Sequence, residues 1–257
     1  MCNVAFWGIP TMTENIFAGI IANFIFFTLT FLIGWSAFLI ARRQRLLKFF
    51  GIAKSKRMIV YLSNIQVLKG GSIGFDGKQR SFNGTTVAMG EAVQAGLFPN
   101  LFSYLIPGLR AQPGILKYLL VSDVKVTISP SPLRAEDIDR NSTIVTFGSP
   151  GYNVVSHWAE KKLVPKMSFD IDNWVMKVEG LPNITDGAQS FVQRLYDAEN
   201  KRFVFYTAGL SELGTIGAAF FLATQWKMLY KKYGAEDTFS IMIAVNPQNY
   251  QEARIVI

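Results

Sequence analysis

One cysteine and one histidine are all that 257 residues provide. Cys2 has no second thiol to pair with, which excludes an intramolecular disulfide and any cysteine-built metal centre, and no metal-ligand spacing occurs around His157. The scarcity also thins the catalytic options. No Ser-His-Asp arrangement can be traced, because Ser149 in Gly148-Ser149-Pro150-Gly151 does not fit the G-x-S-x-G elbow. No charge falls between Ile16 and Ile40, no Lys or Arg precedes Arg42, and there is neither an internal repeat nor a low-complexity tract. Without a basic leader, the apolar N-terminal run does not have the form of a cleavable signal peptide.

What is present begins with that run. Twenty-five helical residues span about 37 Å, enough to cross a hydrocarbon core of roughly 30 Å with some tilt. Arg42, Arg43, Arg45, Lys48, Lys54, Lys56 and Arg57 follow, whereas only Glu14 is charged before them. By the positive-inside rule the expectation is a single-pass membrane protein. It would have a short outer N-terminus (1–15), a transmembrane helix (16–41), a basic juxtamembrane linker (42–57) and a cytosolic domain (58–257). The lipid bilayer is thus the first expected partner, and anionic headgroups suit the basic cluster. Gly19, Asn23, Thr30, Gly34 and Ala37 share one helical stripe, a pattern that lets spans associate and points to a homo-oligomer.

The same partition disposes of the net charge of +8 as a nucleic-acid signal. Seven cations and one anion lie in residues 1–57, which leaves +2 for the remaining two hundred, so no nucleic-acid partner is expected.

Past the linker, Met58 to Leu68 reads as a buried strand. A helix from Asn83 or Thr85 should reach Leu97 and stop at Pro99. Asp123–Ser129 and Ser142–Phe147 read as strands, and 152–162 as a helix. Two short runs lie in 169–178. Residues 191–206 form either a hairpin around 198–200 or, over 188–199, a helix. A strand, a glycine loop and a long helix ending at Gly234 follow, then a closing strand over 238–245. Strands alternating with helices imply an α/β fold, a Rossmann-like, mostly parallel layered sheet with an antiparallel insertion at about 166–206.

Three predicted strands run into glycine-bearing loops. They contain Gly70, Gly71 and Ser72; Gly148, Ser149, Gly151 and Asn153; and Gly209, Ser211, Gly214 and Thr215. In a parallel sheet such loops share the carboxyl edge, where helix N-termini suit a nucleotide-like or other anionic ligand. Thr215 stands where a P-loop needs lysine, and no G-x-G-x-x-G occurs, so neither fingerprint is met. Glu91, Asp76 and Glu212 are the candidate carboxylates for acid or base work, and His157, beside Trp158, reads as structural. No cofactor is implied.

The layout of an N-terminal span before a domain with glycine loops resembles bacterial membrane-anchored effectors of nucleotide-signalled phage defence. The resemblance implies a sensor that binds a nucleotide-type ligand and signals through association of its membrane helices. A membrane-tethered hydrolase or transferase acting on a nucleotide or sugar derivative, and a protein-binding scaffold, are the alternatives.

Overall fold

The computed structural model describes residues 12–52, 57–64, 72–73, 79–80, 87–103, 123–129, 138–235 and 237–257. The chain divides into two compact units, Met1–Gln44 and Arg45–Ile257. The first is one helix, α1 (Met12–Phe49), whose last turn belongs to the second unit. Among the described residues it is the one helix long and apolar enough to cross a membrane. The Thr28 and Thr30 hydroxyls bond back to Phe24 O and Phe26 O at 2.8 Å, which satisfies them within the helix. The basic stretch expected as a linker is helical through Phe49. Leu46, Phe49, Phe50 and Ile52 are buried in the core of the second unit.

That unit is a mixed α/β fold in three layers around a seven-stranded sheet. Strand β1 (Arg57–Leu62) lies between β4 (Asp123–Ile128) and β5 (Thr143–Phe147), parallel to both, and β9 (Arg202–Gly209) runs parallel beside β5. Beyond β9 come β8 (Gln189–Asp197), β10 (Phe239–Asn246) and β11 (Asn249–Ile255), each antiparallel to its neighbour. Five of the seven strands point one way, and the sheet is mostly parallel and Rossmann-like. The short pairs β2 (Ser72–Ile73) with β3 (Gln79–Arg80), and β6 (Met167–Asp170) with β7 (Val175–Val178), stand outside it.

Both faces are covered, and the strand sequences say so. Apolar and β-branched residues fill β1, β5 and β9 without alternation, as strands buried on two sides require. Met58, Val60 and Leu62 face a layer built from α2 (Met89–Ala95), α3 (Leu97–Ser103), α5 (Glu212–Tyr233) and the end of α1. Ile59 and Tyr61 face α4 (Val154–Leu163) and the β6–β7 hairpin.

Several boundaries differ from expectation for identifiable reasons. Strand β1 ends at Leu62, and residues 65–68 lie outside the described set, as do Asn83, Thr85 and 104–122. Pro99 does not stop a helix. It occupies the first turn of α3, where the missing amide hydrogen costs nothing. The helical alternative for 188–199 gives way to β8, whose register with β9 is continuous from Ser190–Gly209 to Asp197–Arg202. The antiparallel part is larger than expected, since β8 enters the main sheet and β11 adds an edge strand.

Candidate functional site

The chain leaves β1 for β4 on one side and then returns to β5 on the other, so strand order reverses between β1 and β5. At such a switch point the connections diverge and leave a crevice beyond the carboxyl ends of the strands. Ser63 follows β1 there and Gly148 follows β5.

Glu91, in the first turn of α2, lies against Ser63 at this switch point and is only 5% exposed. Its Oε2 accepts from Ser63 N at 2.9 Å and its Oε1 from Ser63 Oγ at 2.9 Å. Ser63 Oγ also lies 3.2 Å from Phe147 O, the last carbonyl of β5. A hydroxyl has one proton, so it donates fully to Phe147 O only when Glu91 itself carries a proton and donates to Ser63 Oγ. Burial pushes the Glu91 carboxyl up, the Ser63 bonds pull it partly back, and the nearby Glu212 charge adds to the rise. Gly148 is essential to the arrangement: its φ of +87° suits glycine, and a side chain there would collide with Ser63 Oγ and lie 3.3 Å from Glu91 Oε1.

The other expected residues line the same edge, because β5 and β9 are adjacent and parallel. Asn153 is fully buried and caps α4, its Oδ1 accepting from Val155 N (2.9 Å) and Ser156 N (3.3 Å). Its Nδ2 donates to Phe147 O (2.7 Å) and Tyr61 O (3.3 Å), tying β5 to β1. Val154 N donates to Ser129 Oγ at 3.1 Å. Ser149 is buried and its carbonyl accepts from Tyr152 N and Asn153 N, and Gly151 packs near Trp174 and Ile171. Ser211 caps α5 by accepting from Gly214 N (3.0 Å) and donates to Gly187 O (2.6 Å), while Thr215 Oγ1 accepts from Gly209 N (3.1 Å). Gly209 and Gly214 touch backbone to backbone, so this loop closes only without side chains at both.

Two consequences follow for the anion expectation. The N–H groups of Val154, Val155 and Ser156 at the start of α4 are already spent on Ser129 and Asn153, and two carboxylates, Glu91 and Glu212, occupy the region. What the rim offers instead is acceptors: Asn64 Oδ1 is buried and accepts no hydrogen bond among the described residues, although Asn64 N and Nδ2 donate to Tyr152 O and Ser129 O. Gly70, Gly71 and Asp76 lie outside the described residues, and of Ser72 only the backbone, in β2, is described. Ser63, Asn64 and Ser129 escaped the sequence argument; their one signal is position, directly after an apolar strand.

His157 lies on α4, partly buried, with burial and then Lys161 lowering its pKa. A concavity of about 330 Å³ opens at the opposite edge, among Trp158, Lys162, Tyr196 and Arg202. Its buried cation is already satisfied: Arg202 pairs with Asp197 at 2.9 Å, bonds Asp139 O and stacks 5.5 Å from the Trp158 ring. No family model, curated protein or solved structure matches this chain.

Proposed function

We propose that residues 45–257 form a sensor domain that binds a small ligand at the carboxyl edge of the sheet, in the β1/β5 crevice beside Glu91. The observation that carries this reading is the buried Glu91 carboxyl, held on Ser63 at the ends of two adjacent parallel strands whose connections diverge. Asn64 Oδ1, buried with no partner among the described residues, and the carboxylate of Glu212 favour a ligand rich in hydrogen-bond donors, such as the sugar or base portion of a nucleotide-like molecule, over one gripped by its phosphates. In this reading the apolar α1 tethers the domain to the bilayer, N-terminus outside and residues 45–257 cytosolic. Homo-oligomers form through the Gly19, Asn23 and Gly34 stripe, and ligand occupancy alters that association.

The full chain extracted in detergent tests this directly. Mass spectrometry of heat-released small molecules should detect a bound compound in the wild type and lose it in Glu91→Gln, with the compound raising the unfolding temperature of the wild type alone. A wild type that carries no compound and shows no shift across panels of nucleosides, nucleotides, sugars and amines would sink the proposal.

The raised Glu91 pKa favours a second reading, in which that carboxyl is the general acid of a hydrolase or transferase acting on the same class of molecule. Turnover separates the two: a sensor returns its ligand intact.

A further inference from the structure

Arg194, on β8, is fully buried, and no carboxylate pairs with it among the described ion pairs. Its guanidinium instead gathers three main-chain carbonyls. Nη1 donates to Phe49 O (3.3 Å) and Gly234 O (3.1 Å), Nη2 to Gly234 O (3.2 Å) and Asp237 O, and Nε to Asp237 O (2.6 Å). The rings of Phe49, Phe203 and Phe239 surround it at 5.0–5.2 Å.

The identity of those carbonyls explains how a cation survives there. Phe49 is the last residue of α1 and Gly234 is the C-cap of α5. Two helices therefore bring their partially negative ends and their terminal carbonyls to one guanidinium, and these, with the nearby Asp237 charge, stabilise the cation in place of a direct ion pair. The Phe49 ring adds a second connection, packing 6.4 Å from Trp226 and 6.5 Å from Tyr230 on α5.

The other end of α5 lies at the candidate site. Ser211 and Glu212 open the helix on the rim, α5 packs against α2, and a side chain at Gly90, next to Glu91, would collide with Ile216 and lie 3.4 Å from Glu212 Oε1. A 22-residue helix resists compression along its axis and runs about 33 Å from one edge of the sheet to the other.

We infer that α5 and Arg194 form a mechanical link that carries a displacement at the rim to the last turn of α1. As a signalling route this rests on the rim being the ligand site; as a connection it stands alone.

The test uses the full chain in micelles and no ligand. Gly90→Ala pushes on Ile216, and hydrogen exchange is read at the amides of residues 46–52. In the wild-type background the substitution should speed exchange there about fivefold or more, and in an Arg194→Lys background, where a compact ammonium with three donors replaces the planar five-donor fork, that increment should fall below about twofold. Gly217→Ala, whose methyl would press the first turns of α5 against Val245, replaces Gly90→Ala if the latter does not fold, and Phe49→Leu replaces Arg194→Lys on the same ground. No response at 46–52 in the wild type, or the same increment in both backgrounds, overturns the link. Either failure leaves ligand binding at the rim untouched, and loss of ligand binding leaves this cycle readable.

Discussion

Substitution of Gly148 by alanine puts the geometry of the crevice under direct strain. At φ +87° an alanine costs about 1–2 kcal/mol of backbone strain. Its methyl also collides with Ser63 Oγ, and moving that hydroxyl off Glu91 forfeits a hydrogen bond to a buried carboxyl, about 1.5–3 kcal/mol. Gly148→Ala should therefore destabilise by about 2.5–5 kcal/mol. Ser63→Ala alone loses the same hydrogen bond, about 1.5–3 kcal/mol, and adds no strain. The bond can be lost only once, so the double variant should cost little more than Gly148→Ala, giving a coupling of about 2 kcal/mol. Equilibrium urea unfolding of the full chain in micelles, followed by tryptophan fluorescence, measures all four corners of the cycle. Additivity within about 0.5 kcal/mol would refute the claim that Gly148 exists to make room for the Ser63–Glu91 pair.

Two further outcomes follow from other sites. Glu160 Oε1 accepts from Tyr206 Oη (2.8 Å) and Phe169 N (3.0 Å), and burial pushes this carboxyl up to about 7 from an ordinary 4.5. The folded state then binds the proton more tightly, so this stability is whole below pH 4.5 and drains away as pH rises through 7. The full shift corresponds to about 3.4 kcal/mol, and solvent access at this half-buried group reduces that to about 1–2 kcal/mol. Glu160→Gln should remove that slope, and identical pH profiles for the two proteins would contradict it. Cys2, the only thiol, should react with a membrane-impermeant maleimide on intact cells; labelling only after permeabilisation would reverse the proposed orientation.

Much of the fold was legible because burial writes itself into short patterns. The unbroken apolar runs of β1, β5 and β9 announce strands covered on both faces. Gly234 stops α5 where the sequence implied, whereas Ser211 and Asn153, expected as ligand contacts, cap α5 and α4. Where the signal was ambiguous, tertiary partners decided. Residues 188–199 alternate poorly because β8 is buried along most of its length between β9 and β10, so periodicity could not separate strand from helix. Pro99 looked like a terminator, since sequence alone does not say that a second helix starts two residues earlier.

The candidate site divides in the same way. Glycine loops after strands were visible as loops, but their glycines serve close contact within the protein, Gly209 against Gly214 and Gly148 against Ser63, which composition does not reveal. Glu91 drew attention as a carboxylate among small residues, yet its partner lies 28 positions away and became its partner only when α2 folded over the end of β1.

By itself, then, the sequence determined the apolar helix, the charge asymmetry around it and most of the strand and helix segments, because each is set by neighbours within a few residues. The order of strands, and with it the β1/β5 switch point, the Ser63–Glu91 pair and the convergence of two helix ends on Arg194, was decided only by tertiary structure. Hydrophobic periodicity records which side of an element is buried and carries no address for what buries it, so residues far apart in sequence acquire their partners only when the layers close.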